Sequence, residues 1–320
     1  MDTRQRRQLL RVAGWLLAAF IIARIGQRLA ADLSQLRGNP LPASPRWAFV
    51  LRSGAVFLAA HAVLVESWRL VLASWDARLP FWTAARIWSV SNLGRYVPGK
   101  VWQIGAMGAM ARSANVSPIA ASGSAILGTL VNVLAGFVIV LVSGRALLER
   151  QYAGASGPSQ IIVVVALAVL LGAPWIVPRL APFAARVLRR PVTTTLPVSA
   201  VVYSLTGNCI AWLLYGFAFQ LFANGMLGRS AGSYSLYLAA YTISYLAGYL
   251  AFIVPAGAGV RELSLIALLE FAALATPTEA ALLALTSRVW LTILEVTPAV
   301  LFWTLAVRRP PTSHPSDAPT

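Results

Sequence analysis

Ile119-Ala-Ala-Ser-Gly-Ser-Ala-Ile-Leu-Gly-Thr-Leu-Val-Asn-Val-Leu-Ala-Gly-Phe-Val-Ile-Val-Leu-Val142 contains no charged residue. A helix needs about 20 consecutive, mostly apolar residues to cross the hydrocarbon core of a bilayer, and this stretch is long enough. The surrounding chain repeats the pattern. Apolar runs of similar length lie at 9–30, 47–73, 160–180, 198–222 and 234–254, and the run at 280–307 can span with tilt. Hydrophobic residues make up 58% of the 320 and charged residues 11%, with a mean hydropathy of +0.71. Soluble domains are about 25% charged, so a water-soluble fold of this size is excluded. So much apolar surface demands burial, which excludes a disordered chain as well.

There are 26 basic and 10 acidic residues, and every basic residue except Lys100 is arginine. The basic residues sit in short segments between apolar runs, as topology signals and contacts to anionic head groups do, so no nucleic-acid partner is expected. With the N-terminus inside, the inner segments (1–11, 69–112 and 179–190) hold 14 basic residues and the outer ones hold 8. That excess predicts a cytoplasmic N-terminus, residues 143–159 outside, and a multi-pass protein of a bacterial-type inner (plasma) membrane. Arg308 and Arg309 place the C-terminus in the cytoplasm too, which requires an even number of crossings. Residues 1–8 read as a basic cytoplasmic N-terminus, 9–307 as the integral membrane domain, and the Pro/Ser-rich 308–320 as a disordered tail. The first run resembles a signal peptide, but Arg24 and Arg28 interrupt it before the Leu29-Ala30-Ala31 stretch, so it is expected to stay as a first span. Cys209 is the single cysteine, so no internal disulfide forms.

Two apolar segments, about 81–111 and 255–275, are interrupted. The first contains Ser89-Val-Ser-Asn-Leu-Gly-Arg-Tyr-Val-Pro-Gly-Lys-Val-Trp-Gln-Ile-Gly105, and the second Ala251-Phe-Ile-Val-Pro-Ala-Gly-Ala-Gly-Val-Arg-Glu-Leu263. Each runs into a Val-Pro turn with glycine and then a cation. Pro98 and Pro255 are 157 residues apart, near half the chain. Broken helices in corresponding positions of two halves mark transporter sites near the membrane midplane. Proline removes a backbone donor and glycine relaxes the chain, which frees polar groups that lipid tolerates only inside protein or beside water. A helix that starts after such a turn favours an anion at its N-terminus. Arg95, Lys100 and Arg261 add full charges suited to a phosphate or carboxylate head group. An amphipathic interfacial loop with an ordinary kink accounts for either segment alone; the matched pair favours a site. The repeat itself is weak, since little else in the two halves aligns.

Gly94-Arg95-Tyr96-Val97-Pro98-Gly99-Lys100-Val101-Trp102 and Pro255-Ala256-Gly257-Ala258-Gly259-Val260-Arg261-Glu262 resemble the paired signatures of the lysylphosphatidylglycerol synthase transmembrane-region family, the flippase-like membrane proteins. The resemblance covers about residues 10–307. It implies translocation of a lipid between leaflets. The cytosolic domain that makes aminoacylated lipid in the full-length synthases has no counterpart in these 320 residues, so aminoacyl transfer does not carry over. Stand-alone relatives are linked to glycosyltransferases that use polyprenyl-phosphate sugars, which leaves the cargo open.

Ionisable side chains at membrane depth are functional candidates by default. Glu66 and Arg69 lie at i and i+3, where they can pair. Arg288 and Glu295 are seven apart on one face of the last helix, and Glu262 and Glu270 flank the second break. The substrate-binding set is therefore Arg95, Tyr96, Pro98, Gly99, Lys100 and Gln103 from the first segment, Pro255, Gly257, Gly259, Arg261 and Glu262 from the second, and Arg288 and Glu295. His61 reads as a packing histidine. Ser124, Gly128, Asn132 and Gly136 recur every four residues and read as a helix-packing stripe. Tyr237, Tyr241, Tyr245 and Tyr249 form a second stripe expected to face the interior, and Asn208 is a further buried amide. There is no P-loop, His-Glu-x-x-His, Cys/His cluster or Gly-x-Ser-x-Gly in the sequence, so neither ATP hydrolysis nor another enzymatic activity, metal site or cofactor is expected.

The expected fold is an all-α, polytopic transmembrane helix bundle of seven to nine membrane segments, two of them broken and re-entrant, in a weak internal pseudo-repeat. The expected function is translocation of an anionic phospholipid or polyprenyl-phosphate-linked lipid between leaflets, with membrane lipids as partners through their phosphate head groups. The rivals are a membrane scaffold for a glycosyltransferase or other lipid-modifying enzyme, and a secondary transporter of a small solute.

Overall fold

The computed structural model describes residues 45–96, 101–151, 196–251, 257 and 259–307, with isolated positions at 27 and between 164 and 179. The spans expected at 9–30 and 160–180 lie mostly outside these residues. So do 1–8, 308–320, Pro98, Gly99, Lys100 and Pro255.

Every regular element among the described residues is helical. In chain order they are α1 (Trp47–Ala73), α2 (Phe81–Asn92), a 3₁₀ turn (Leu93–Tyr96), α3 (Val101–Arg112), α4 (Pro118–Gln151), α5 (Val198–Leu227), α6 (Tyr234–Leu250), α7 (Val260–Phe271) and α8 (Pro277–Val307). Stretches of α1, α4, α5 and α8 are long and apolar enough to cross a membrane. By contrast α2, α3 and α7 have 12 residues each. At 1.5 Å per residue each reaches about 18 Å, short of the roughly 30 Å hydrocarbon core, so these are half-helices.

Local chemistry sets the ends. α8 starts at Thr276-Pro277-Thr278-Glu279. The Glu279 carboxylate accepts the Thr276 backbone N–H at 2.9 Å, and the Glu279 N–H points back to the Thr276 hydroxyl at 3.4 Å, a reciprocal cap with proline at the first helical position. α5 ends on Gly228 in the left-handed region, φ 67°. Pro298 lies inside α8.

α1 and α5 pack antiparallel along their length. The Arg46 N–H bonds the Gly225 carbonyl at 2.8 Å at one end, and the Ser67 hydroxyl donates to the Tyr203 carbonyl at 2.9 Å towards the other. Gly207 permits this approach, since a Cβ there would collide with the Ser67 side chain.

Buried side chains fall into two main groups. Trp68, Leu72, Ile87, Met107 and Ala121 join α1 to α4. Phe219, Phe222, Tyr241, Leu265 and Leu283 join α5 to α8. The outside is apolar as well: Leu130 of α4 is 64% exposed and Leu51 of α1 72%. Such a belt is costly in water and suited to lipid. Trp47 and Trp82, at the starts of α1 and α2, are also exposed, as interfacial tryptophans are.

Candidate anion site between the two broken segments

A cavity of about 480 Å³ lies inside the bundle, and residues from every helix α1 to α8 line it. The first broken segment contributes Arg95, Tyr96 and Gln103, the second contributes Gly257 and Arg261, and α8 contributes Arg288, Thr292 and Glu295. The two interrupted segments thus meet at one space, although the turn residues Pro98, Gly99, Lys100 and Pro255 lie outside the described residues. Gly259 and Glu262 stand at the start of α7, beside the lining.

The chain's local geometry carries these side chains inward. The 3₁₀ turn after α2 directs Arg95 back towards Asn92, whose side-chain oxygen accepts from Arg95 Nη2 at 2.8 Å and from Gln103 Nε2 at 2.9 Å. Arg95 Nη1 bonds Glu295 Oε1 at 2.6 Å, and the Tyr96 hydroxyl donates to Glu295 Oε2 at 3.0 Å. Glu295 therefore has both oxygens engaged by the first broken segment, and Arg95 is neutralised in place.

At the second break, Gly257 has φ 67° and lies so close to α6 that a Cβ would sit 2.5 Å from the Gly248 carbonyl oxygen. A side chain is excluded here by both conformation and space. Gly248 in turn faces Arg261: a Cβ on it would be 2.8 Å from the Arg261 Cβ. This close packing sets Arg261 against the tyrosine stripe. Its guanidinium carbon lies 5.4 Å from the Tyr241 ring centroid and 5.3 Å from that of Tyr245, within cation–π range. Arg261 is 8% exposed, and among the described residues its Nη2 has no hydrogen-bond partner. A buried charged donor left unpaired is costly unless a ligand completes it.

Glu262 has two roles. One oxygen accepts the Gly259 N–H at 2.6 Å, which holds the α7 N-terminus. The other lies 3.2 Å from Arg288 Nη1. The sequence placed Arg288 and Glu295 on one face, and both do line the cavity. Glu295 reaches Arg95 of the first segment, and Arg288 reaches Glu262 of the second. Around the space the described charges are thus two ion pairs and Arg261.

The opposite wall is neutral and polar. Asn132 Nδ2 donates to Asn208 Oδ1 at 2.8 Å, and Asn208 Nδ2 to the Ser204 carbonyl at 2.7 Å. The stripe on α4 combines packing with lining. Gly136 sits against Trp212, while Ser124, Gly128 and Asn132 face the cavity. Tyr237 and Tyr241 are fully buried, and Tyr245 and Tyr249 line the space. His61 packs on Ser89 at 3.2 Å. Glu66 and Arg69 form their expected i,i+3 pair with side chains about a third exposed, away from the cavity.

Asn92 and Thr292 escaped the sequence reading as site residues. Asn92 had a local signal, since it precedes Arg95 by three positions on a helical turn. Thr292 had none, because it looks like any hydroxyl in an apolar helix. Among the described residues no group of His, Cys, Asp and Glu is placed to hold a metal. No protein-family model, curated protein or solved structure matches the chain.

Proposed function

We propose that the protein translocates lipids with an anionic head group between membrane leaflets, the head group entering the cavity while the tails stay in lipid. The observation that carries this reading is Arg261: a buried guanidinium on the cavity wall for which the described residues offer Nη2 no hydrogen-bond partner and no bridging carboxylate. The cavity, about 480 Å³, has the size of a site for a head group or a drug-sized ligand. A phosphate that completes Arg261 offsets the cost of bringing a charge into the membrane, about 2.5–3.5 kcal/mol on insertion scales.

In this reading the two broken segments are pseudo-equivalent parts of a seven-to-nine-segment bundle in a bacterial-type inner membrane. The resemblance to the flippase-like family supports it, with an anionic phospholipid or a polyprenyl-phosphate-linked lipid as cargo and no catalytic step. The exposed apolar belt of α1 and α4 supports the membrane setting.

The test is leaflet translocation of a fluorescent-tailed anionic phospholipid in reconstituted vesicles, read beside thermal stability in detergent. Arg261→Ala should slow translocation about 10- to 100-fold, the value of a charged hydrogen bond to phosphate. Lys100→Ala should slow it as well. Arg261→Lys should recover only part of the rate, because an ammonium is a point charge where the guanidinium offers a fork. Wild-type rates in both alanine variants would reject the reading.

A further inference from the structure

Resting on the anion site proposed above, we infer that the cavity holds a second subsite, for hydroxyl groups: the head group it takes carries a polyol or a sugar beside its phosphate. The inference follows from the direction of two chains of hydrogen bonds in the lining. A guanidinium only donates, so the 2.8 Å bond from Arg95 Nη2 fixes which end of the Asn92 amide is oxygen. The same oxygen accepts from Gln103 at 2.9 Å, which fixes that contact as Gln103 Nε2 and leaves the carbonyl oxygen, Oε1, at the end of the chain. On the other wall a backbone carbonyl, which only accepts, sets the direction. Asn208 Nδ2 donates to the Ser204 carbonyl at 2.7 Å, so Asn208 Oδ1 takes the Asn132 Nδ2 at 2.8 Å and Asn132 Oδ1 is the end of that chain.

Gln103, Asn132 and Arg261 line the same cavity. Among the described residues nothing donates to Gln103 Oε1 or to Asn132 Oδ1. Two amide carbonyls without donors, on the wall of one cavity, are completed by O–H or N–H groups of a ligand. Hydroxyls suit them better than an ammonium. A buried ammonium needs a carboxylate, and Glu295, the acidic residue in the described lining, already has one oxygen on Arg95 and the other on Tyr96. A neutral hydroxyl gives up far less on leaving water and needs only the carbonyl.

The experiment uses the full chain in detergent with short-chain lipids and reads affinity from ligand-induced thermal stabilisation. One pair is phosphatidylglycerol and phosphatidylpropanol, equal in charge, the second lacking the hydroxyls. A prenyl pair, farnesyl-phosphate glucose and farnesyl cyclohexyl phosphate, repeats the comparison, and phosphatidylethanolamine offers an ammonium instead. In at least one pair the wild type should hold the hydroxylated member about tenfold tighter, the combined worth of two neutral hydrogen bonds, and the pair that shows it names the lipid. The ratio is read within one protein, so a variant's lower basal stability does not enter it. Gln103→Met and Asn132→Leu should each reduce it about threefold, and the double variant should bring it close to one. No hydroxyl preference in either pair, a ratio unchanged in the double variant, or phosphatidylethanolamine as the tightest probe overturns the inference; the wild-type ratios decide if the double variant does not fold. Arg261→Ala should weaken both members of a pair alike and leave the ratio. If it binds every probe like wild type, the anion site itself is rejected; if it weakens all of them while neither pair shows a hydroxyl preference in the wild type, only the hydroxyl subsite falls.

Discussion

At the scale of single residues, the cavity depends on what each charge gives up when its partner is removed. Glu295 accepts from Arg95 and from Tyr96. Replacing it with leucine takes the acceptor from Arg95 Nη1 and from the Tyr96 hydroxyl and leaves the guanidinium only its bond to Asn92. Breaking a buried pair from one side costs about 3–5 kcal/mol, and the lower end applies here because the Arg95 side chain keeps 26% exposure. Glu295→Leu should therefore lose about 3 kcal/mol in detergent unfolding. The double variant Glu295→Leu/Arg95→Met should regain most of that loss, since an apolar replacement of both partners is often close to neutral. If the double variant is as unstable as the single one, Glu295 is held by contacts other than Arg95. The pairing shows where sequence reading stops. The i,i+3 spacing of Glu66 and Arg69 predicted their bridge, because helix geometry alone brings them together. The partner of Glu295 is 200 residues away, and no local period encodes such a contact.

At the scale of elements, the glycine after the second break joins a half-helix to its neighbour. Gly257 has φ 67° and a Cβ would press on Gly248, whereas Gly259 has φ 80° with nothing within 4 Å. Gly259→Ala should then cost conformational strain alone, about 1–3 kcal/mol. Gly257→Ala should cost more, with an overpacking penalty of another 1–3 kcal/mol or so, and should displace Arg261 through Gly248. Equal losses in thermal stability for the two variants would show that the approach of α7 to α6 is not tight. Both breaks were legible from proline and glycine clustered inside apolar segments, because together they remove a donor and relax the chain at one point, whereas Pro298 alone stays inside α8. The tyrosine stripe was legible as well, from its period of four. The α1–α5 seam was not: Gly207 reads as a neutral small residue until Ser67 is seen opposite it.

On the scale of the whole molecule, the antiparallel α1 and α5 put the turn after α1 and the loop after α5 on opposite faces. The arginine tally predicts that the first of these is cytoplasmic. In a Cys209-free background, Asp76→Cys should react with an impermeant thiol reagent only from the cytoplasmic side and Ser230→Cys only from outside. Labelling of both from one side contradicts the antiparallel pairing, and the reverse pattern contradicts the arginine tally. Apolar run lengths conveyed the four membrane-length helices α1, α4, α5 and α8, since burial in lipid is written directly into composition, whereas the run at 234–254 forms the shorter, 17-residue α6. The cavity was not written there, because it arises from the way α1 to α8 surround a common space. One feature of that arrangement bears on energy supply. α8 carries Arg288 and Glu295 seven residues apart, each paired to a different broken segment. A membrane potential does about 2.3 kcal/mol of work per elementary charge per 100 mV. A shift of α8 along the bilayer normal moves these opposite charges together, so the field's work on one cancels its work on the other. In the proposed function, the voltage across the membrane then acts on the charged head group and not on a shift of α8.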